Sequence, residues 1–267
     1  MRLDPALAHS WPAIALAILV AIVYPLLGLR RFRRIEHLPD PLPSRTRVRL
    51  YWNLLASQWS LVGLTVLLLA WGGRSLADLG QSFGPNPGVT IAATAGLLVL
   101  FTVLSVFTTR QLKRATTSEL PRRMRKAGKI LPQNDTERSW FVLVALTAGI
   151  CEEILYRGFL PWFIDGWVGG LGVGYVIAAV AFGLGHAYQG RSGVLVTGVL
   201  GLLFGALAYS AQSLLPGQVL HAAIDLVNGI AVGYTLVRAR AAGAEAGPEP
   251  GPDAGPGDVD ASAAPPA

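Results

Sequence analysis

Six ionisable side chains stand inside otherwise apolar stretches: Glu152, Glu153, Arg157, His186, His221 and Asp225. A full charge at the centre of a membrane helix costs roughly 2.5–3.5 kcal/mol on insertion scales, so a set of six implies a shared polar cavity with a purpose. Residues four apart share a helix face. Glu153 can therefore pair with Arg157 and His221 with Asp225, while Phe182 stands one turn from His186. Glu152 projects about 100° from Glu153 on the helical wheel, so the two glutamates cannot share one job. Groups of these types suit acid–base catalysis of a hydrolysis, which needs an activated water and a place for a developing oxyanion. A carboxyl withdrawn from water is a competent general base near neutral pH, and two imidazoles can polarise the water or the carbonyl oxygen. The same His186 and His221, with a carboxylate, would also supply three protein ligands for zinc or another divalent metal. The His-Glu-x-x-His motif is absent, so the sequence leaves the metal open.

The surrounding chain explains why these groups are conspicuous. Of 267 residues, 52% are hydrophobic and only 14% charged, too few charges to solvate a globular domain of this size. The apolar residues form runs long enough to span a hydrocarbon core of about 30 Å. The runs are Trp11 to Leu29, Asn53 to Trp71, Val89 to Thr109, roughly Ser139 to Leu160, Gly169 to Tyr188, Ser192 to Tyr209, and Pro216 to Val237. They predict an all-α polytopic transmembrane helix bundle of about seven spans. The first run ends in arginines and lacks a small-x-small cleavage pattern, so it reads as a retained span.

The net charge of +6 does not indicate a nucleic-acid partner. Sixteen of the 22 basic residues fall in two short loops, Arg30 to Arg49 and Arg110 to Arg138, where they would face anionic headgroups and set topology. With both loops cytoplasmic, the N-terminus lies outside and the C-terminal end inside. The Gly72–Gly88 connection reads as an external linker. From Ala239 onward the chain is Ala, Gly, Pro and acidic residues, a composition that cannot bury enough surface to order itself, and a disordered tail is expected. The organisation expected is an N-terminal transmembrane region (1–138), a core carrying the chemistry (139–238) and a tail (239–267).

Glu152-Glu153-x-x-x-Arg157, then Phe182-x-x-x-His186, then His221-x-x-x-Asp225 resembles the three-part signature of the CPBP family. These are the CAAX-protease and bacteriocin-processing (ABI) membrane proteins related to the prenyl-protein endopeptidase Rce. The resemblance spans about Ser139 to Val237, with three motifs in order, each in an apolar run. It departs from the commonest form at Asp225, where asparagine is often found, and this bears on the charge state of the site. The resemblance implies an intramembrane endopeptidase acting on a membrane-associated polypeptide, with Glu152 as general base, His186, His221 and Asp225 around it, and Glu153 with Arg157 as a structural ion pair. Nineteen arginines against three lysines suggest a high-GC bacterium and its inner membrane. There, processing of exported or anchored peptides is a better expectation than prenylated substrates.

Rival readings are a catalytically silent immunity or binding protein of the same fold and a proton-coupled transporter, since membrane carboxylates and histidines also form proton relays. A transporter predicts charges spread over matched repeats, whereas all six lie in the second half. Cys151, the sole cysteine, lies in an apolar run unsuited to a thiolate. His9 and His37 read as inert surface groups, and Trp11, Trp71, Trp140 and Trp167 as interfacial anchors. Gly183, Gly185, Gly198, Gly201 and Gly205 read as packing positions. One conflict stands out: straight helices over these runs leave Glu152 deep, His186 near one membrane edge and His221 near the other. Either the site is not assembled or the helices are not straight and full-length.

Overall fold

A computed structural model describes residues 5–38, 42–112 and 128–245. Among them the secondary structure is entirely helical. Seven long helices follow in order: α1 (Trp11–Glu36), α2 (Ser44–Trp71), α3 (Pro87–Leu112), α4 (Asp135–Val168), α5 (Leu171–Gly185), α6 (Arg191–Ala211) and α7 (Leu215–Glu245). Six carry segments long and apolar enough to cross a membrane. The exception is α5, whose 15 residues rise only about 22 Å. The protein is thus an integral membrane helix bundle with one short member. α7 continues to Glu245, into the stretch expected as tail, while 246–267 and most of the second basic cluster, 113–126, lie outside the described residues.

The helices overrun the uncharged runs because arginine does not stop a helix. Arg30 to Arg34 lie on the end of α1, and Arg45 to Arg49 on the first turns of α2. Arg47 does not face headgroups. It is 3% exposed and its Nε donates to Glu137 Oε2 at 2.8 Å, an acceptor shared with the backbone N–H of Gln133. Tyr51 Oη donates to the carbonyl of Ile130, and Lys129 Nζ donates to the carbonyls of Glu36 and Leu38 just at the end of α1. This cluster fastens α1 and α2 to the start of α4.

Two helices change pitch at prolines. In α1 the π-turn Leu19–Val23 ends with Tyr24 N–H on the carbonyl of Leu19, five residues back. The next donor in that register would be Pro25, which has no N–H. The carbonyl of Val20 is left over, and Tyr156 Oη donates to it at 3.2 Å. In α4 the π-turn Ile154–Phe159 ends the same way, with Leu160 N–H on Leu155 and Pro161 next. Pro161 therefore does not break α4; it shifts the helix phase immediately after the two glutamates.

The Gly72–Gly88 connection is more than a linker. Its 3₁₀ turn Leu76–Leu79 buries Leu79 fully, Gly80 accepts from the N–H of Leu214, and Ser82 accepts from the hydroxyl of Ser213. The α6–α7 turn lies beneath this loop, which lets α7 begin inside the bundle. His9, although exposed, ties the N-terminus to the end of α4 through the carbonyl of Gly166 and the edge of Trp167. Trp11, Trp71 and Trp167 are largely exposed, as anchors require. Gly183, Gly201 and Gly205 lie in the contact between α5 and α6.

Helices α4 and α7 cross at Gly149. A Cβ there would stand 2.6 Å from the carbonyl oxygen of Gln218 and 2.8 Å from the nitrogen of Ala222, both backbone atoms that cannot swing aside. Gly149→Ala should therefore destabilise the protein by about 1–3 kcal/mol through overpacking. A thermal melt in detergent checks this, with wild-type stability counting against the close crossing.

Candidate active site

The Gly149 crossing lies one turn before Glu152 and Glu153 and just before His221, so it brings the two strongest parts of the sequence pattern together. His221 is the hub. Its Nδ1 lies 2.9 Å from Glu153 Oε1, and its Nε2 lies 3.8 Å from Glu152 Oε2 and 3.7 Å from Asp225 Oδ2. A carboxylate can only accept, so Nδ1 carries the proton toward Glu153 and Nε2 faces the other two carboxyl groups. The glutamates thus do different work on opposite sides of one imidazole.

Glu153 also accepts from Arg157 Nη1 at 2.8 Å. The guanidinium lies 4.1 Å from the ring centroid of Phe182 and 5.2 Å from that of Phe204, which replaces part of its lost hydration with ring faces. Phe204 stacks on His221, and Phe182 meets the same imidazole edge-on. Phe204 was not anticipated; its only sequence signal is an aromatic ring among the small residues of α6. Phe182 also touches His186, 4.7 Å away between centroids. His186 Nδ1 donates to the carbonyl of Phe182 at 2.9 Å, which leaves Nε2 for the cavity.

The depth conflict resolves in three ways. Glu152 and His186 lie on either side of the α4–α5 turn at nearly equal rise, about 24 Å along α4 and about 22 Å along α5. Because α5 stops at Gly185, His186 ends a short helix inside the bundle rather than at its edge. His221 reaches the same level because α7 starts below the Leu76–Leu79 turn.

Side-chain exposure rises from 0% at Glu153 and 7% at His221 to 15% at Glu152 and 40% at Asp225. Glu153 is therefore closed off from the surface, whereas Glu152 reaches the cavity. Glu152 and His186 line a cavity of about 270 Å³ whose far wall comes from α1 and α2, including Tyr24, Phe32, Leu54 and Gln58. Arg31 and Ile35 stand at its arginine-bearing end. Gln58 was also missed in the sequence, where it is an amide in an apolar helix; its Nε2 donates to Glu152 Oε1 at 2.6 Å. Cys151 is fully buried and lines no part of the cavity. Among the described residues, no group of three or more His, Cys, Asp or Glu side chains is arranged to hold a metal ion.

Residues 134–227 match the family described as type II CAAX prenyl endopeptidase Rce1-like. No curated protein and no solved structure matches the chain. The matched segment contains Glu152, Glu153, Arg157, Phe182, His186, His221 and Asp225.

Removing one partner of the buried Glu153–Arg157 pair strands the other. Arg157→Met and Glu153→Gln should each cost about 3–5 kcal/mol, and the double variant much less than the sum. A double-variant cycle of unfolding in detergent measures this; additive losses would show that the pair is not coupled.

Proposed function

We propose that this protein is an intramembrane endopeptidase that hydrolyses peptide bonds of membrane-associated polypeptides with Glu152 as general base, a reading supported by the likeness of residues 134–227 to the Rce1-like endopeptidase family. The observation that supports this reading best is the convergence of Glu152 and Asp225 on His221 Nε2, beside a cavity inside an apolar bundle. Substrate enters that cavity with its scissile carbonyl toward Glu152 and His186. Glu152 takes a proton from water as the water oxygen attacks the carbonyl carbon. The resulting oxyanion faces Nε2 of His186, which can donate to it only when the ring is protonated, since the Nδ1 proton is committed to Phe182. Glu152 then returns its proton to the amine nitrogen as the C–N bond breaks, releasing a carboxylic acid and an amine, and the acid's proton, the second of the attacking water, passes to the amine to leave carboxylate and ammonium.

His221 acts from the buried side. Protonated at both nitrogens, it holds Nδ1–H on Glu153, turns Nε2–H toward Glu152 and Asp225, and so steadies two neighbouring acidic groups. Asparagine at position 225 would contribute no charge here, so Asp225 makes the site more acidic than the commonest family form. Glu153 and Arg157 hold His221 in place and do not contact substrate. No step is assigned to a divalent metal; His186 and His221 act as proton and hydrogen-bonding groups. The setting proposed is a bacterial inner membrane, with the arginine-bearing helix ends and the C-terminal end in the cytoplasm.

Purified full-length protein in detergent, offered candidate membrane peptides, tests the reading. Glu152→Gln and His221→Ala should each lower turnover by about 10²–10⁴-fold. Turnover should survive a chelator. Unchanged cleavage in both variants would remove the mechanism, and silence of the wild type toward peptides it binds would favour a non-catalytic member of the fold.

A further inference from the structure

Gln58 lies on α2, well outside the matched segment, yet among the described residues it makes a shorter contact to the proposed base than His221 does. Its Nε2 stands 2.6 Å from Glu152 Oε1, and Gln58 is 1% exposed. The orientation of the amide follows from chemistry, because a carboxylate can only accept and the amide must turn its NH₂ group toward it. The opposite face of the amide is then left without a partner: Gln58 Oε1 is buried and makes no hydrogen bond. Glu137 Oε1 and Glu153 Oε2 share that condition, and it is the cavity position that sets Gln58 apart from them.

We propose that Gln58 is a positioning residue for Glu152, fixing the rotation of its carboxylate so that Oε1 is held and Oε2 faces the cavity and His221. The terminal torsion of a glutamate is broad and nearly two-fold, so an unrestrained carboxylate would spread its proton-accepting oxygen over many directions. A single donor from a separate helix removes that freedom. The two oxygens then differ in role: Oε1 is occupied by Gln58, and Oε2 lies 3.8 Å from His221 Nε2.

A purely structural role explains the geometry less well. Helix α2 is already fastened to α4 by Arg47 on Glu137 and by Trp59 Nε1 donating to Thr147 Oγ1 at 3.2 Å. Gln58, by contrast, lines the cavity beside Glu152. The consequence for turnover rests on the endopeptidase reading, but the restraint on the carboxylate does not.

The test compares full-length wild type, Gln58→Met, Gln58→Glu and Trp59→Phe in detergent. Methionine keeps the length and burial of the side chain without a hydrogen bond; glutamate keeps the shape but replaces the donor with an acceptor. Gln58→Met should lower kcat by about 10- to 100-fold with little change in KM or melting temperature, and Gln58→Glu should lower it at least as far. Trp59→Phe, which removes only the neighbouring interhelical bond, should leave kcat near wild type. A drop in kcat that merely follows a drop in melting temperature, or an equal drop in Trp59→Phe, overturns the proposal. A second readout needs no turnover: labelling of Glu152 by an apolar carbodiimide, followed by mass spectrometry, should accelerate in Gln58→Met while labelling of Asp225 stays constant. Equal Glu152 labelling in wild type and Gln58→Met also overturns it. If wild type and Glu152→Gln cleave alike, the endopeptidase reading fails, and the labelling arm still decides whether Gln58 holds the carboxylate.

Discussion

The carboxylate of Glu153 is the constraint on which the site depends. It is wholly buried, and one of its oxygens accepts from both Arg157 and His221. A lone carboxylate in such surroundings would be untenable, and so would a lone guanidinium. Each makes the other tolerable, and the imidazole receives its orientation from the arrangement. Phe182 and Phe204 complete the enclosure by presenting ring faces to Arg157 and ring contacts to His221. Glu152 and Asp225, the more exposed carboxyl groups, stand on the other side of the imidazole.

Bringing α4, α5 and α7 to one level required departures from straight, full-length helices. Pro25 and Pro161 each follow a π-turn, and the carbonyl that the first leaves free is taken by Tyr156 from the segment containing the second. α5 is short, and the α6–α7 turn is recessed beneath the Leu76–Leu79 loop. These are inexpensive backbone adjustments in lipid because the freed groups find partners inside the protein.

The all-α bundle and the grouping of ionisable residues were legible because lipid permits few charges and each one stands out. The four-residue spacings were equally plain, and Glu153–Arg157 and His221–Asp225 are neighbours as that spacing requires. Depth was not legible, because hydropathy marks where charge begins and says nothing about pitch change or a recessed turn. Arg47 was misread for the same reason: its partner Glu137 is 90 residues away and invisible to local pattern. Gln58 and Phe204 carry no charge, so nothing in composition separates them from packing residues. The Gly72–Gly88 stretch has the composition of a linker, and only its contacts with Ser213 and Leu214 reveal that it covers the start of α7.

The cavity is assembled from two separate stretches of the chain. One wall, with Glu152, Phe182 and His186, comes from the family segment; the opposite wall comes from α1 and α2. On the proposed function, and with the exception of Gln58, reactivity and selectivity are therefore encoded in separate stretches of sequence. Substitutions at positions such as Phe32 or Leu54 would reshape what the vestibule admits while the acid–base groups stay untouched, so a lineage could change its clientele without reinventing its chemistry.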